Sequence, residues 1–371
     1  MKVYYWSPHL SKVGTIKSVY NSCKSLRNQG IDAKIINTVG EWKHLEDEIR
    51  IDLFNKKNFY NILPRKGYFQ SKFSNIIIFV ISFVPLLRLL KKDQPNFLII
   101  HLLTSLPLIL KKFFSLKTEI ILRISGKINF SPIRKLLWKS ISNLITVTSP
   151  TVETRNHLIE KKIFLEKDIY LIKDPILEQF KKIETQTIKL NKRKNFLAVG
   201  RLTKQKNFIF LITVFAILIS KYKDLTLTIF GEDAEEKEKL EELIKKKHLE
   251  KHVFLLGFRK DMENLFKDYD CFVLSSLHEE PGFVLIEAAS NFLPIISSDC
   301  PSGPREILGN GDNGFIFKSN NEKDFLEKLE EFLHISDEDL KNKLLNLNQN
   351  IKEYTLQNHS QKFVSLFKEK L

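Results

Sequence analysis

The stretch Leu277-His278-Glu279-Glu280-Pro281-Gly282-Phe283-Val284-Leu285-Ile286-Glu287-Ala288-Ala289 decides how this chain reads. Ahead of it, Asp270-Cys271-Phe272-Val273-Leu274 is strand-like and ends in two serines. Beyond Pro281-Gly282 the apolar spacing turns helical. The order is strand, glycine-containing loop, helix start. An open α/β sheet places its ligand there, beyond the carboxyl end of a strand and against a helix N-terminus. The N–H groups of Gly282, Phe283, Val284 and Leu285 are expected to be free at that terminus and to favour an anion such as a diphosphate. Glu279 in the loop and Glu287, expected in the first helical turn, bracket it and can hold the hydroxyls of one ligand at two points. A glutamate in a first helical turn also suits the helix dipole without any ligand. Glu287 by itself therefore supports either role.

The same alternation extends in both directions. Strands are expected over 196–199, 225–230, 253–256, 270–274, 294–297 and 314–317. Helices are expected over 207–221, 234–247, 261–267, 322–332 and 337–350, with a further short segment over 303–308. Strands alternating with helices of this length specify a parallel sheet covered on both faces. The loop Val199-Gly200-Arg201-Leu202-Thr203-Lys204-Gln205-Lys206-Asn207 follows the first strand of this half. Arg201, as a planar fork, and Lys206, as a point charge, suit a diphosphate there, although solvated loop charge is the plainer account of either one alone. Gly257-Phe258-Arg259 ends another strand on that edge and suits a nucleobase.

The first half repeats the pattern, opening with a strand over 2–7, a loop over 8–15 and a helix to about residue 27. Gly14 lets the backbone approach a ligand, but no full G-x-G-x-x-G is present and no dinucleotide fingerprint is claimed. Residues 76–90 are strongly apolar but short for a bilayer span and interrupted by Pro85 and Arg88, so a buried helix is expected. Arg88, Lys91 and Lys92 beside it leave room for an interfacial role. Further strands end at His101 and at Arg123-Ile124-Ser125-Gly126, and a short basic helix is expected over 132–142. Residues 178–194 are lysine-rich, lack apolar periodicity and read as a linker. The expected domains are 1–177 and 178–353, both Rossmann-like and doubly wound, with a terminal helix over 354–371 returning to the first.

Net charge is +15 over 371 residues. Residues 1–180 hold 29 Lys and Arg against 14 Asp and Glu, whereas residues 181–371 hold 30 of each. The whole excess lies in the first half, which points to nucleic acid, an anionic membrane or an acidic acceptor. No zinc-finger spacing or aromatic RNA-binding strand is present, so nucleic acid is set aside. Cys23, Cys271 and Cys300 are too scattered for a metal site and read as lone buried thiols of a reducing compartment. Asp268-Tyr269-Asp270 and Asp337-Glu338-Asp339 do not converge with other oxygen ligands, so no metal is expected. The opening residues lack the apolar core of a signal peptide.

Taken together, these residues resemble glycosyltransferase family 4, retaining enzymes of the GT-B fold with two Rossmann-like domains facing across a cleft. Glu279 to Glu287 reproduces that family's E-x7-E signature, and Gly200-Arg201-Leu202 with Lys206 its G-R-L-x-x-x-K phosphate loop. The segment 298–308 and Asn313-Gly314-Phe315 are similar too. The resemblance is strong over about residues 195–335 and looser but colinear before that. It implies that Arg201 and Lys206 bind the donor diphosphate, with backbone N–H groups of Val284 and Leu285. Glu287 would hold the ribose. Glu279, with Gly282 and Phe283, would hold the transferred sugar, and Gly257, Phe258 and Arg259 would edge the base. It also implies no metal and no cofactor beyond the nucleoside diphosphate sugar. Many members carry a histidine where this chain has Ser125. His101 on the adjacent strand either faces the cleft in its stead or is structural.

The resulting expectation is a retaining transferase moving a hexose or N-acetylhexosamine from a UDP-sugar to a bacterial surface glycan or lipid-linked oligosaccharide. It would be cytoplasmic, with the basic half against the inner face of the plasma membrane. Two other readings are a sugar-nucleotide epimerase on the same fold and a non-catalytic donor-binding partner of another transferase.

Overall fold

Val3 and Tyr5 face one side of the first strand and Tyr4 and Trp6 the other, and all four are buried. Such a strand belongs in the middle of a parallel sheet with both faces covered. A computed structural model of the chain shows this arrangement twice. It describes residues 1–10, 14–54, 62–64, 68–126, 128, 131–182, 193–259 and 265–371. The chain divides into one unit of Met1–Glu178 with Thr355–Leu371 and a second of Gln179–Tyr354. Each boundary falls one residue beyond the expected one.

The first unit holds β1 (Lys2–Trp6), α1 (Gly14–Arg27), β2 (Asp32–Asn37), β3 (Arg50–Asp52), α2 (Tyr68–Asp93), β4 (Phe97–Ile100), α3 (Ser105–Phe113), β5 (Glu119–Arg123), α4 (Pro132–Lys139), β6 (Ile145–Ser149), α5 (Val152–Glu160) and β7 (Ile169–Leu171). Its seven parallel strands run in the order β3-β2-β1-β4-β5-β6-β7. On one face, Val3, Tyr5, Ile35 and Phe97 pack with Val19 and Cys23 of α1 and with the last helix of the chain. On the other, Tyr4, Trp6, Leu98 and Ile100 pack with Leu86 and Leu90 of α2, Leu106 of α3 and Trp138 of α4.

The second unit runs β8 (Asn195–Val199), α6 (Phe208–Lys221), β9 (Thr226–Phe230), α7 (Lys237–Lys246), β10 (Val253–Leu255), β11 (Cys271–Leu274), α8 (Phe283–Ser290), β12 (Ile295–Ser298), α9 (Pro304–Ile307), β13 (Phe315–Phe317), α10 (Glu322–His334) and α11 (Asp337–Ile351). Its six parallel strands run in the order β10-β9-β8-β11-β12-β13. The terminal helix α12 (Leu356–Lys370) belongs to the first unit. Phe367 stacks on Phe97 with ring centroids 4.3 Å apart, and His359 Nε2 lies 2.7 Å from Ser22 Oγ of α1.

Residues 76–90 depart from expectation. They lie within a 26-residue helix that continues through Pro85. Ser74, Ile78, Ser82, Leu86 and Leu90, four apart throughout, are buried, while Ile76, Val80 and Val84 are exposed. The helix is thus half-buried, because a four-residue repeat presents only one stripe to the sheet. Lys72–Asp93 is long and apolar enough to cross a membrane by length and composition. The basic helix expected over 132–142 ends at Lys139. The expected linker and the helix over 261–267 lie largely outside the described residues, as do 11–13 of the 8–15 loop. All three cysteines are buried and free.

Candidate functional site

In the second unit, β8 is flanked by β9 on one side and β11 on the other. Connections from these two central strands leave in opposite directions, so a crevice opens beyond their carboxyl ends. The loops following β8 and β11 are the two that carry Arg201, Lys206 and Glu279. They are stitched together by main-chain and side-chain hydrogen bonds. Leu277 N donates to Gln205 O at 2.8 Å, Gln205 Nε2 to His278 O at 2.9 Å, and Ser275 Oγ to Lys206 O at 2.8 Å.

At the centre, Lys206 Nζ lies 2.6 Å from Glu279 Oε1, with side-chain exposures of 15% and 7%. Ser276 Oγ donates to the same carboxylate oxygen at 2.6 Å, and Ser298 Oγ at the end of β12 donates to Ser276 O at 2.6 Å. Glu279 N donates to Pro301 O at 3.0 Å. Glu279 is therefore held from three loops, its carboxylate from two of them and its backbone N–H from the third. A charge so far from water requires its partner and its hydrogen bonds. Cys300 lies in the same environment. Burial pushes its thiol up to about 12, with the charge of Glu279 adding to the effect, so it is inert at neutral pH. Arg201 is exposed and forms no ion pair among the described residues, leaving its fork open to a ligand.

Glycines set the distances here. A Cβ on Gly231, after β9, would sit 1.9 Å from Gly200 O, and one on Gly200 would meet the Lys206 stem at 2.8 Å. Gly200 N donates to Phe230 O, and Gly231 N to Gly257 O, each at 2.9 Å. Gly200, Gly231 and Gly257 thus cap three adjacent strands on one edge and bring Phe258 and Arg259 onto it, both exposed. Gly303 packs on the Pro281 carbonyl, where a Cβ would lie 1.8 Å away. Gly282 has φ +94°, a left-handed turn that swings the chain into α8.

Two expectations at this turn need correction. Glu287 is the fifth residue of α8, and no acidic residue lies in its first turn. The dipole effect fades within that turn, so the helix dipole does not account for Glu287. Leu285 N donates to Gly282 O at 3.0 Å, so one of the four amides expected to be open is engaged. Phe283 and Val284 open the helix, half-buried.

The remaining candidates belong to the first unit. Gly14 is the exposed first residue of α1. Ser125 is half-buried just after β5. His101 follows β4 with its N–H donating to Trp6 O at 3.0 Å, and both ring nitrogens are buried without a partner. Burial holds it down to about 3, with Arg123 adding to the effect, so it is a neutral imidazole. Beside it, Arg123 Nη2 contacts Asp174 Oδ1 at 2.7 Å, a pair almost wholly out of water. Asp174 also accepts from Ser18 Oγ. Burial raises the Asp174 carboxyl, but Arg123 and Ser18 outweigh it and hold the group below the usual carboxylate range.

Sequence reading did not single out Ser276, Ser298, Gly231 or the Arg123–Asp174 pair. For Gly231 a signal was available, since a glycine directly after an apolar run recurs at 200, 231 and 257. For the serines nothing local distinguishes them from other loop serines. Asp270, part of the doubted Asp-x-Asp, accepts from Lys194 N at 2.7 Å and Asn195 N at 2.8 Å, a structural task at the amino end of β11.

Residues 179–355 match the family model described as glycosyl transferases group 1. The match takes in the whole of the second unit, just under half of the chain. A Methanocaldococcus jannaschii protein, the uncharacterized glycosyltransferase MJ1059, is 38% identical over 158 residues, 43% of this chain and 37% of that protein. That match thus spans little more than a third of the relative's own length. The amylovoran biosynthesis glycosyltransferase AmsD of Erwinia amylovora is 26% identical over 314 residues, 83% of this chain and 88% of that protein. In three dimensions, a glycosyltransferase from Rickettsia africae ESF-5 superposes with a TM-score of 0.78 at 18% identity, covering 99% of this chain and 98% of that one. The fold is GT-B, two parallel-sheet α/β units.

Proposed function

We propose that this chain is a group 1 glycosyltransferase that moves a hexose or N-acetylhexosamine from a UDP-sugar to a hydroxyl of a bacterial surface glycan or lipid-linked oligosaccharide, with retention at the anomeric carbon. The second unit binds the donor and the first the acceptor. The observation that carries this reading is the buried Lys206–Glu279 ion pair at the reversal of strand order, beside the open fork of Arg201.

The chemistry follows from that pair. An arriving diphosphate offers Lys206 a stronger anion than one carboxylate, and Arg201 can grip it through two parallel N–H bonds. Lys206 turning to the phosphates frees Glu279 Oε1, still held by Ser276, to accept from hydroxyls of the transferred sugar. As the glycosidic bond breaks, negative charge grows on the leaving diphosphate. Arg201, Lys206 and the amides opening α8 stabilise it without a metal. Glu287, one turn into α8, takes the ribose, and the exposed ring of Phe258 with Arg259 edges the base. On the acceptor side Ser125 lines the first-unit site. The departing phosphate oxygen takes the acceptor proton, since His101 is too deeply buried to exchange one. The relative named for amylovoran biosynthesis, matched over most of this chain, supports a glycan acceptor. The basic first half supports one presented at an anionic membrane surface.

The test is binding and hydrolysis across a panel of nucleoside diphosphate sugars by wild type, Glu279→Ala and Arg201→Ala. Saturable binding of one UDP-sugar with slow hydrolysis, lost in both variants, is expected. No binding to any donor by the folded protein would overturn the assignment. Conversion of the donor to its epimer would replace transfer by isomerisation.

A further inference from the structure

Helices α2, α3 and α4 cover one face of the first sheet and share one core. Their outer surface is unlike that of α1 and α12 on the other face. On α2, Ile76 and Val80 are 61% and 64% exposed, and on α3 Phe113 is 66% exposed. On α4, Ile133 and Leu136 reach 81% and 73%, one turn apart, so they stand side by side in solvent. Neither α1 nor α12 exposes a large apolar side chain among the described residues.

The apolar side chains are interleaved with cations. The three helices contain nine Lys and Arg and a single acid, Asp93, which accepts from Tyr4 Oη at 2.9 Å. Arg88, Lys92, Arg134, Lys135 and Lys139 make no ion pair among the described residues. The helices also touch one another at this surface. Lys91 Nζ of α2 lies 5.8 Å from the ring centroid of Phe114, the C-cap of α3, and Lys112 Nζ of α3 donates to Ser140 Oγ, the C-cap of α4, at 2.8 Å. These contacts tie the C-terminal ends of the three helices together on one face of the unit. Exposed apolar area of this kind marks a contact surface, and unpaired cations around it select an anionic partner.

We propose that the α2–α3–α4 face docks on an anionic lipid bilayer, with its apolar side chains among the acyl chains and its lysines and arginines at the headgroups. The inference rests on the lipid-linked acceptor reading only for its purpose, which is to bring the enzyme to its acceptor. The helices lie on the membrane rather than cross it. α2 meets the length and hydropathy of a span, but its Ser74, Ile78, Ser82, Leu86 and Leu90 stripe is buried, and insertion would strip that stripe from the unit. Two signals, apolar insertion and charge, are what stable peripheral binding takes.

The experiment is co-flotation of the full chain with phosphatidylglycerol/phosphatidylcholine vesicles and with phosphatidylcholine alone, at low and high salt. Wild type binds the anionic vesicles, and high salt weakens that binding. Ile133→Asp/Leu136→Asp and Arg134→Glu/Lys135→Glu each bind them about tenfold more weakly. Lys362→Glu/Lys368→Glu, with the same charge change on α12, binds as wild type. Donor hydrolysis stays at the wild-type rate in all of them, because these side chains lie outside the donor site; this separates failure of the docking face from failure of the transferase reading. Wild type that ignores anionic vesicles overturns the proposal. So does equal loss in the α12 variant, which would make the attraction one of net charge alone. A dimer that forms without lipid and is dissolved by Ile133→Asp/Leu136→Asp would assign the face to a second copy instead.

Discussion

Lys206 and Glu279 are 73 residues apart in the chain and 2.6 Å apart in space. Two loops from adjacent strands of opposite winding are needed to bring them together. In the proposed donor site the pair satisfies both charges before any ligand arrives.

Lys206→Met removes the counter-ion and leaves Glu279 buried with Ser276 as its remaining side-chain partner. Breaking one side of a desolvated pair costs on the order of 1–3 kcal/mol, and the loss of the phosphate contact weakens UDP binding by at least about tenfold. Lys206→Met/Glu279→Gln recovers most of the stability, because no unpaired charge remains, but none of the binding. Urea denaturation and calorimetric titration with UDP separate the two effects. Equal stability of the single and double variants would contradict the pairing argument.

The glycines make an opposed pair of predictions. Gly231→Ala drives a methyl group into the Gly200 carbonyl at 1.9 Å, backbone against backbone, and destabilises the fold by about 2–4 kcal/mol. Gly200→Ala meets only the flexible stem of Lys206 at 2.8 Å. It keeps a melting temperature close to wild type while shifting the ammonium and weakening UDP binding. Thermal melts and titrations on the same two proteins check both halves.

Arg123 and Asp174 form the most deeply buried ion pair described, with side-chain exposures of 1% and 3%. Asp174→Leu leaves a guanidinium in the interior and costs about 3–5 kcal/mol. Arg123→Met/Asp174→Leu is less damaging than Asp174→Leu alone, since no charge is stranded. Denaturant midpoints of the two variants decide the matter, and a double variant weaker than the single would refute it.

Acid sensitivity follows from four buried groups. Burial holds His101 and His359 down to about 3, with Arg123 adding to both. Unfolded histidine titrates near about 6.5. Between those values the unfolded chain carries the protons, so this stability is complete above about 6.5 and is lost as pH falls. Glu41 opposes them. Burial raises it to about 7, although backbone N–H groups at Thr38 and Val39 pull the other way. Its contribution is complete below the unfolded carboxylate range and lost as pH rises towards 7. His9, which burial also lowers, acts in the same direction, so three histidines outweigh one glutamate and stability falls as pH drops from about 6.5 to 5. His359→Gln makes that slope shallower by roughly 1.4 kcal/mol per pH unit. Denaturant melts across this interval test it, and an unchanged slope in the variant would rule the account out.

Most elements were legible before the structure, because period-2 and period-3.6 patterns are written in neighbouring residues. The strand at Phe97–Ile100 was legible in another way, as four consecutive apolar residues that suit a parallel strand buried on both faces. α2 was misread as buried because an apolar run shows how much surface a helix wants to hide, not how much its neighbours cover. Glu287 lies outside the first turn because the left-handed φ of Gly282 starts the helix at Phe283, four residues ahead of it. His101 could not be sorted between ligand and core from its position at a strand end. Its lack of ring partners depends on residues from β1, β5 and the segment after β7.

What the order of amino acids carries, then, is the alternation of strand and helix, the glycine-bearing loops and the types of side chain on them. These are local properties, fixed by backbone sterics and by which residues lie two or four apart. The placement of Lys206 on Glu279, the closure of Ser276 and Ser298 behind it, and the bare apolar stripe on α2 were settled only by tertiary structure. Each depends on which strands become neighbours, β8 with β11 above all, and strand neighbourhood is a competition among long-range pairings that no single stretch of chain records.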